Sequence, residues 1–389
     1  MSKETGDRQE ILDFANMVFS MSAGSTNFES LLPKAYSEER KEHILHFCKR
    51  EEGKLRALID IYPGELYLGD SKIKTAYIGT VSVHPQARKK GYMCELMEEA
   101  ERELRKQGVD LLMLDGSRHR YRNFGFERAG MKYCFHINRH GLHTYLRKQQ
   151  KQLCDQFSFC LLEEEDKALV DSCYAYYQKR TVKVRNREDF LLCLKSWEAD
   201  TYAIMENDTC VGYINLSADE RNIHEVELKD ADNLDLAIAA FMEELDLEEL
   251  GVDIGADEQE KFMVLQQMAD YYMVSMSHHI KILQYEKVLP FLLLWKSQYT
   301  QLAQQNYVIG IKNQDVLEKY RIQNNGITVD CVRDKSSAEP DVVFEEMELV
   351  SVLTTSRYYQ EAQRNTSPLR FSPQGWFPLP FFLPEADAF

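Results

Sequence analysis

The stretch Val81–Met93, VSVHPQARKKGYM, limits the possible folds of this chain most strongly, because it predicts a strand, a tight turn and a helix in direct succession. Apolar residues from Ile78 to Val83 form the strand, and the turn Arg88–Gly91 carries three cations before its glycine. The following residues place apolar side chains at helical spacing and charged ones on the other side. A helix start offers unpaired backbone N–H groups and a partial positive charge, so the stretch predicts an anion site, and phosphate suits it best.

A second motif follows this helix. Leu111–Leu114 is a short apolar run typical of a strand, and Gly116-Ser117 and Tyr121-Arg-Asn-Phe-Gly-Phe126 come after it. Together the two motifs resemble the GNAT acetyltransferases, whose motif A, Q/R-x-x-G-x-G/A, corresponds here to Arg88-Lys89-Lys90-Gly91-Tyr92-Met93. In that family the turn holds the pyrophosphate of acetyl-CoA, and the tyrosine of Y-x-x-x-G-F is often the general acid. A lone RKKG turn is more often a solvated surface turn, so the interpretation depends on both motifs in this order.

Composition restricts the classes of function. A chain of 389 residues is too long for one hydrophobic core, so about two or three domains are expected. The formal charge of −16 argues against nonspecific binding to nucleic acid or anionic membranes and favours small cationic substrates. No apolar run reaches the length of a membrane span, and the polar N-terminus has no signal-peptide core. Nine cysteines, an odd number without a C-x-x-C pair, indicate reduced thiols and a cytoplasmic location.

The order of elements predicts an α/β (α+β) chain with a GNAT fold over residues 1–143. This region reads as helices, three antiparallel strands, the turn and helix, a strand, a short helix and a last strand near Tyr133–Ile137. Residues 144–285 repeat the plan weakly. Their turn Lys229–Asn233 is acidic and has no glycine, so it cannot hold a pyrophosphate. The second region is therefore predicted to be a degenerate GNAT-like domain without cofactor.

Residues 286–389 form a third predicted domain. A very apolar run at Val288–Trp295 is too short to span a bilayer and predicts a buried helix. Strands are expected at 308–311, 327–332 and 342–344, with polar turns between them. The tail Trp376–Phe389 is strongly apolar and rich in proline, so we expect it to be docked rather than frayed. From the sequence of the tail alone, simple packing onto the third domain is favoured.

Three histidines have the spacing of metal ligands, namely His136, His140 and His143. They lack a carboxylate partner or an H-E-x-x-H frame, and they fall at a predicted domain end. We expect surface or linker histidines here and no metal site.

The whole chain resembles the enhanced-intracellular-survival (Eis) type of acetyltransferase. Those proteins combine an N-terminal GNAT domain, a GNAT-like domain without cofactor and a C-terminal domain similar to sterol carrier protein, and they end in an apolar tail with phenylalanine. The resemblance implies that Tyr121 is the proton donor and that the terminal carboxylate of Phe389 is the base. It implies an acetyl-CoA site made of Val81, Ser82, Val83, Arg88, Lys89, Lys90, Gly91, Tyr92, Met93, Cys94, Gly116 and Ser117.

The implied function is acetyl-CoA-dependent N-acetylation of a cationic amine, such as an aminoglycoside, a polyamine or a lysine side chain. A longer acyl-CoA donor stays open, because Tyr92 and Met93 lie beside the turn. The alternative is a non-catalytic protein that binds or senses acyl-CoA or lipid. No nucleic-acid or membrane partner is expected, and relatives imply a homo-oligomer, a hexamer by analogy.

Overall fold

The computed structural model describes residues 8–40, 42–152, 156–313 and 315–389. The α-helices in the described residues are α1 Arg8–Ala23, α2 Phe28–Leu31, α3 Pro33–Tyr36, α4 Tyr92–Lys106, α5 Arg118–Tyr121, α6 Arg139–Lys148, α7 Lys167–Tyr177, α8 Phe190–Leu194, α9 Leu234–Glu244, α10 Gln259–Met268, α11 Tyr285–Ser297, α12 Glu346–Thr354 and α13 Arg357–Ala362. Across those ranges, none of the helices combines the length and apolar character needed to cross a bilayer.

The strands are β1 Leu45–Glu51, β2 Lys54–Leu68, β3 Ser71–Val83, β4 Leu111–Leu114, β5 Glu127–Arg128, β6 Lys132–Asn138, β7 Ser158–Leu161, β8 Asp200–Glu206, β9 Thr209–Leu216, β10 Asn222–Leu228, β11 Glu249–Gly255, β12 Tyr271–Ser275, β13 His279–Ile282, β14 Gln305–Asn313, β15 Val316–Asn324, β16 Val329–Arg333 and β17 Val342–Glu345. They form three sheets with the orders β1-β2-β3-β4-β13-β5, β12-β6-β11-β10-β9-β8-β7 and β16-β15-β14-β17. The chain is thus a mixed α/β protein.

The first sheet follows from local sequence signals. β2 and β3 form a long antiparallel hairpin, and Gly69 takes φ +55° in the turn between them. α4 is the crossover from β3 to the parallel strand β4. It buries Leu96, Met97, Ala100 and Leu104, which recur at helical spacing, whereas Met93 of the same predicted set is half-buried. The end of β3 and the start of α4 therefore lie at the carboxyl edge of the parallel pair, where α/β sheets bind ligands.

Two segments join sheets across the limits predicted from sequence. The chain forms two compact units, one of residues 1–130, 278–379 and 388–389 and the other of residues 131–277 and 380–387. β6, expected to complete the first region, pairs with β11 and β12 in the second sheet. β13, which lies within the bounds predicted for the second region but was not predicted as a strand, pairs with β4 and β5 in the first sheet. A strand pattern specifies which face is buried but not which partner strand is chosen, so sequence periodicity could not reveal this exchange.

The third sheet contains one strand that the sequence did not predict. β15 lies where polar turns were expected, and it pairs with β14 along its whole length. Its sequence VLEKYRIQN has buried positions at Tyr320, Ile322 and Asn324, with the polar residues Arg321 and Gln323 between them. The strand contains few apolar residues, because only one of its faces is covered. The buried helix expected at Val288–Trp295 is confirmed as part of α11.

The second unit contains a buried ion cluster centred on Arg185. Its guanidinium, 0% exposed, donates from Nε to Asp387 Oδ1 at 2.6 Å and from a terminal nitrogen to Oδ2 at 2.9 Å. It also bonds both carboxylate oxygens of Glu225, at 3.1 and 2.7 Å. Burial alone would raise the pKa of Glu225, but Arg185 and Arg180 lower it to about 2. This cluster ties the apolar tail to the second unit near its end.

Arg185→Met is expected to destabilise the second unit by about 3–5 kcal/mol, because Glu225 and Asp387 would stay buried without their cation. Chemical denaturation measures this, and Arg187→Met, in an exposed pair with Asp171, is the matched control with little effect. Since the folded pKa of Glu225 is depressed from 4.5 to about 2, its stabilisation is present above pH 4.5 and is lost as the pH falls towards 2. An Arg185→Met variant with wild-type stability and wild-type acid sensitivity would contradict the cluster.

Candidate active site

β3 contains a bulge where it passes the centre of β2. Leu58 pairs with Ser82 and Asp60 pairs with Gly79, so Thr80 and Val81 together oppose the single residue between those two on β2. Thr80 has φ +50°, a left-handed conformation that is strained for a β-branched residue. A bulge leaves its extra residue without a ladder partner and bends the strand, a feature frequent next to active sites.

β3 and β4 separate just before this bulge. Their parallel pairing runs from Thr75 and Leu111 to Ile78 and Leu114 and then stops. Beyond it β3 continues to Val83, whereas the chain after β4 turns into α5. The two strands therefore form a fork, with one open arm after Ile78 and the other after Leu114. An extended ligand can enter such a fork and use backbone groups that have no strand partner.

The anion turn lies at the far end of the β3 arm. α4 begins at Tyr92, and Gly91 is its N-cap residue with φ +84°. A side chain at Gly91 would meet no atom within 4 Å, so this backbone is open to a ligand. The turn borders a cavity of about 650 Å³, whose lining includes Val81, Val83, Ala87, Arg88, Lys89, Gly91, Tyr92, Met93, Cys94 and Arg120.

Four of the residues predicted to bind the cofactor do not line this cavity. The Ser82 side chain is buried and donates to the Thr80 carbonyl, so only its backbone remains for a ligand. Lys90 is held by Glu51 through two hydrogen bonds of 2.7 and 2.9 Å. Gly116 and Ser117 are exposed between β4 and α5, on the second arm of the fork.

Tyr121 packs on the β4 arm. Gly116 has φ +132°, and a Cβ atom there would lie 2.8 Å from Tyr121 Cε2, so the ring covers the bare glycine backbone. The side chain is 5% exposed and packs in the same cluster as Ile78 and Leu114. Burial raises the pKa of Tyr121, an effect that the neighbouring Arg120 opposes in part. The phenol therefore keeps its proton throughout the neutral pH range.

Phe389 packs on the β3 arm. A Cβ atom at Gly79 would lie 2.6 Å from Phe389 Cδ1 and 3.1 Å from a main-chain oxygen of Phe389, so the last residue rests directly on the strand. The ring is 6% exposed and contacts the rings of Tyr36, Tyr62 and Tyr77 at centroid distances of 5.8, 5.6 and 6.4 Å. The sequence of the tail alone favoured packing onto the third region. In the structure, Phe389 packs instead onto the first sheet.

The end of the tail is held in place by a buried lysine. Lys34, 1% exposed, donates from Nζ to the carbonyl of Ala388, the residue before Phe389. A buried ammonium group needs such an acceptor, because it has left water. The position of Phe389 is therefore fixed by both ring packing and a charged hydrogen bond.

Each arm of the fork thus begins with a glycine covered by one of the two residues expected to act in catalysis. Gly79 follows Ile78 and carries Phe389, while Gly116 lies two residues after Leu114 and carries Tyr121. Both glycines lie just beyond the last paired residues of the two strands, Ile78 and Leu114, so Phe389 and Tyr121 pack on the two arms of one fork.

Asp115 adds a negative charge at the same opening. It follows Leu114, and the alternation of β4 places it on the face of Tyr77, whose hydroxyl donates to Asp115 Oδ2. His278 Nδ1 lies 3.1 Å from the same oxygen. Burial alone would raise the pKa of Asp115, but the hydrogen bonds from His278 and Tyr77 bring it below the ordinary value. The carboxylate is therefore ionised and attracts cations.

Some residues at the cavity were not predicted from the sequence. Arg120 lines the cavity beside the anion turn, as do Val18 and Phe19 of α1. Arg120 could have been suspected as a fourth cation near the tyrosine motif. The contribution of α1 could not have been predicted, because it depends on how this helix packs against the sheet.

Residues 2–129 match a family model described as an acetyltransferase (GNAT) domain. Among solved structures, the chain is similar to a GCN5-related N-acetyltransferase from Anabaena variabilis, with a TM-score of 0.68, 14% identity and coverage of 99% of this chain and 98% of that one. It is also similar to Eis1 from Mycobacterium abscessus, with a TM-score of 0.64, 16% identity and 98% coverage of both chains.

A third similar structure is a protein of unknown function from Enterococcus faecalis, named a probable N-acyltransferase, with a TM-score of 0.63, 13% identity and coverage of 90% and 88%. No curated protein matches the chain significantly. At these identities the structural likeness establishes the fold alone. The GNAT domain match, joined to this fold, supports an acetyltransferase enzyme.

Proposed function

We propose that this enzyme transfers the acetyl group of acetyl-CoA to a cationic primary amine. The observation that carries the proposal is the fork between β3 and β4, where Gly79 and Gly116 are covered by Phe389 and Tyr121 beside a cation-rich helix start. A phosphate-binding turn, a phenol and a carboxylate are the groups that acyl transfer from a CoA thioester requires.

The terminal carboxylate of Phe389 acts as the base. An amine arrives as ammonium and must lose a proton before its lone pair can attack, and an ionised carboxylate accepts that proton directly or through water. The new N–C bond forms at the thioester carbonyl, whose oxygen takes up negative charge. We assign its stabilisation to a backbone N–H of the Val81–Val83 segment.

Tyr121 completes the reaction. When the C–S bond breaks, the thiolate takes the phenolic proton, and the phenol is restored by the second proton that leaves the amine nitrogen. The first proton passes from the carboxylate to solvent, so one proton is released for each amide formed. The raised pKa of Tyr121 suits this step, because the proton stays in place until the thiolate appears.

A cationic acceptor is supported by charge. Asp115 is an ionised carboxylate on the face of the fork that holds Phe389, and three tyrosine rings surround that residue. Carboxylates and aromatic faces both attract ammonium groups. The net charge of −16 acts in the same direction over longer distances.

Thiol release from acetyl-CoA tests the proposal, with polyamines, aminoglycosides and lysine peptides as acceptors and their N-acetylated forms as matched controls. We expect turnover with at least one cationic amine and none with its fully acetylated form. Tight acyl-CoA binding without turnover on any amine would contradict the enzyme and favour the non-catalytic sensor. Propionyl-CoA and longer donors in the same assay define the acyl group.

The domain scheme and assembly are part of the proposal. We propose a GNAT domain at 1–143, a degenerate GNAT-like domain at 144–285 and a sterol carrier protein-like domain at 286–389, with β6 and β13 exchanged between sheets. We also propose a homo-oligomer, with the hexamer taken by analogy. The exposed apolar side chains of the edge strand β12, including Tyr271 and Met273, support burial of that edge in an assembly.

A further inference from the structure

A buried hydrogen-bond chain lies under the β3 arm of the fork. The Tyr36 hydroxyl donates to Asp60 Oδ2 at 2.6 Å, and the His46 Nδ1 atom lies 2.6 Å from Asp60 Oδ1. Tyr36 is 2% exposed and Asp60 is 0% exposed, whereas His46 reaches the surface in part. Because a carboxylate oxygen accepts hydrogen bonds, His46 donates from Nδ1 to Asp60.

The hydrogen-bond chain continues to Thr80, the strained residue of the bulge. Tyr36 Oη is hydrogen-bonded to Thr80 Oγ1. The single phenolic proton of Tyr36 is directed to Asp60, so the Thr80 hydroxyl must be the donor to Tyr36. Thr80 at φ +50° is therefore held by a hydroxyl whose own orientation is fixed by a buried carboxylate. Strained conformations persist only where surrounding contacts determine them in this way.

Tyr36 also contacts the tail. Its ring lies 5.8 Å from the ring of Phe389, at an interplanar angle of 34°. Asp60 pairs in register with Gly79, the glycine on which Phe389 rests. The Tyr36 side chain thus contacts both Thr80, in the bulge that opens the fork, and Phe389, which carries the terminal carboxylate.

We propose that Tyr36 is a positioning residue, which fixes the Thr80–Val81 bulge relative to the carboxylate of Phe389 through the chain His46–Asp60–Tyr36–Thr80. The inference rests on the proposed function and adds residues to it that do not line the CoA cavity. Acyl transfer needs the attacking nitrogen and the thioester carbonyl in a narrow range of geometry, and a small shift of either one lowers the rate without weakening CoA binding.

Kinetics of matched variants test the role. We expect Tyr36→Phe and Thr80→Val each to lower kcat by about 10- to 100-fold, with the KM for acetyl-CoA within about threefold of wild type. The double variant should lose no more than Tyr36→Phe alone, because Tyr36→Phe already removes the hydrogen bond that Thr80→Val removes. Thr80→Ser keeps the hydroxyl and should retain most of the turnover. Tyr67→Phe, which removes an exposed hydroxyl bonded to Glu65, is the control without effect.

Amide hydrogen exchange supplies a readout that does not depend on catalysis. In Tyr36→Phe and Thr80→Val, the peptide covering residues 78–83 should exchange faster than in wild type, with no change in Tyr67→Phe. If the wild type transfers acetyl groups while both variants keep wild-type kcat and exchange, the positioning role is overturned and the proposed function stands. If the wild type transfers acetyl groups to no amine, the proposed function fails. Hydrogen exchange at residues 78–83 then decides by itself whether the hydrogen-bond chain holds the bulge.

Discussion

One glycine added after Phe389 is expected to lower kcat for acetyl transfer by about 100-fold or more, because the catalytic carboxylate moves one residue away from the fork. The ring of Phe389 and its contacts with Tyr36 and Tyr62 are unchanged in this variant, so thermal unfolding should stay close to that of wild type. Acetyl-CoA binding, measured by calorimetry, should also be retained, since the anion turn is untouched.

Gly79→Ala tests the position of the Phe389 carboxylate through a change in β3. Its Cβ atom would lie 2.6 Å from Cδ1 and 2.8 Å from Cε1 of the Phe389 ring, so the tail must move. Gly64→Ala is the matched control, because its Cβ atom would meet only the Thr75 hydroxyl at 3.1 Å, also in the β2–β3 hairpin. Wild-type kcat in both the extended protein and Gly79→Ala would exclude the carboxylate as base.

Tyr121→Phe is expected to lower kcat by about 100- to 1,000-fold, because the thiolate would leave without a proton donor. The KM for acetyl-CoA should change little, since the aromatic ring still covers Gly116. Tyr202→Phe in the second unit is the control. Steady-state thiol release measures both variants.

The pH dependence gives a second test of Tyr121. Burial raises its pKa above the ordinary value of 10.0, so the acid form persists throughout the neutral range and is lost only above pH 10. We therefore expect no fall of kcat assignable to this phenol below pH 10, and any loss above that pH should disappear in Tyr121→Phe. An alkaline limb near pH 8 that vanishes in the variant would contradict the structure.

Local chemistry made part of the site predictable from sequence. The helix predicted directly after the Arg88–Gly91 turn is present as α4, because glycine suits its start and its apolar residues recur at helical spacing. The rest depends on distant pairing. The spacing of residues cannot show that β13 enters the first sheet beside β4, or that α3 carries Tyr36 to Asp60 and Thr80.

The two open arms of the fork were also not predictable from the sequence. The sequence marks Gly79 and Gly116 only as glycines, and the reason for each appears when an aromatic ring is found against its bare backbone. Ser82 is the opposite case. Family resemblance assigned it to the cofactor site, but its hydroxyl is buried, so only its backbone is available to a ligand.

A crystal structure with CoA bound tests the central claim most directly, namely that the fork between β3 and β4 aims a thioester at Tyr121 and Phe389. We expect the pyrophosphate at the Arg88–Gly91 turn, and the sulfur within about 3.5 Å of the Tyr121 hydroxyl. The carboxylate of Phe389 should border the same opening. CoA bound elsewhere, or a sulfur out of hydrogen-bond reach of Tyr121 with Phe389 turned to solvent, would contradict the account.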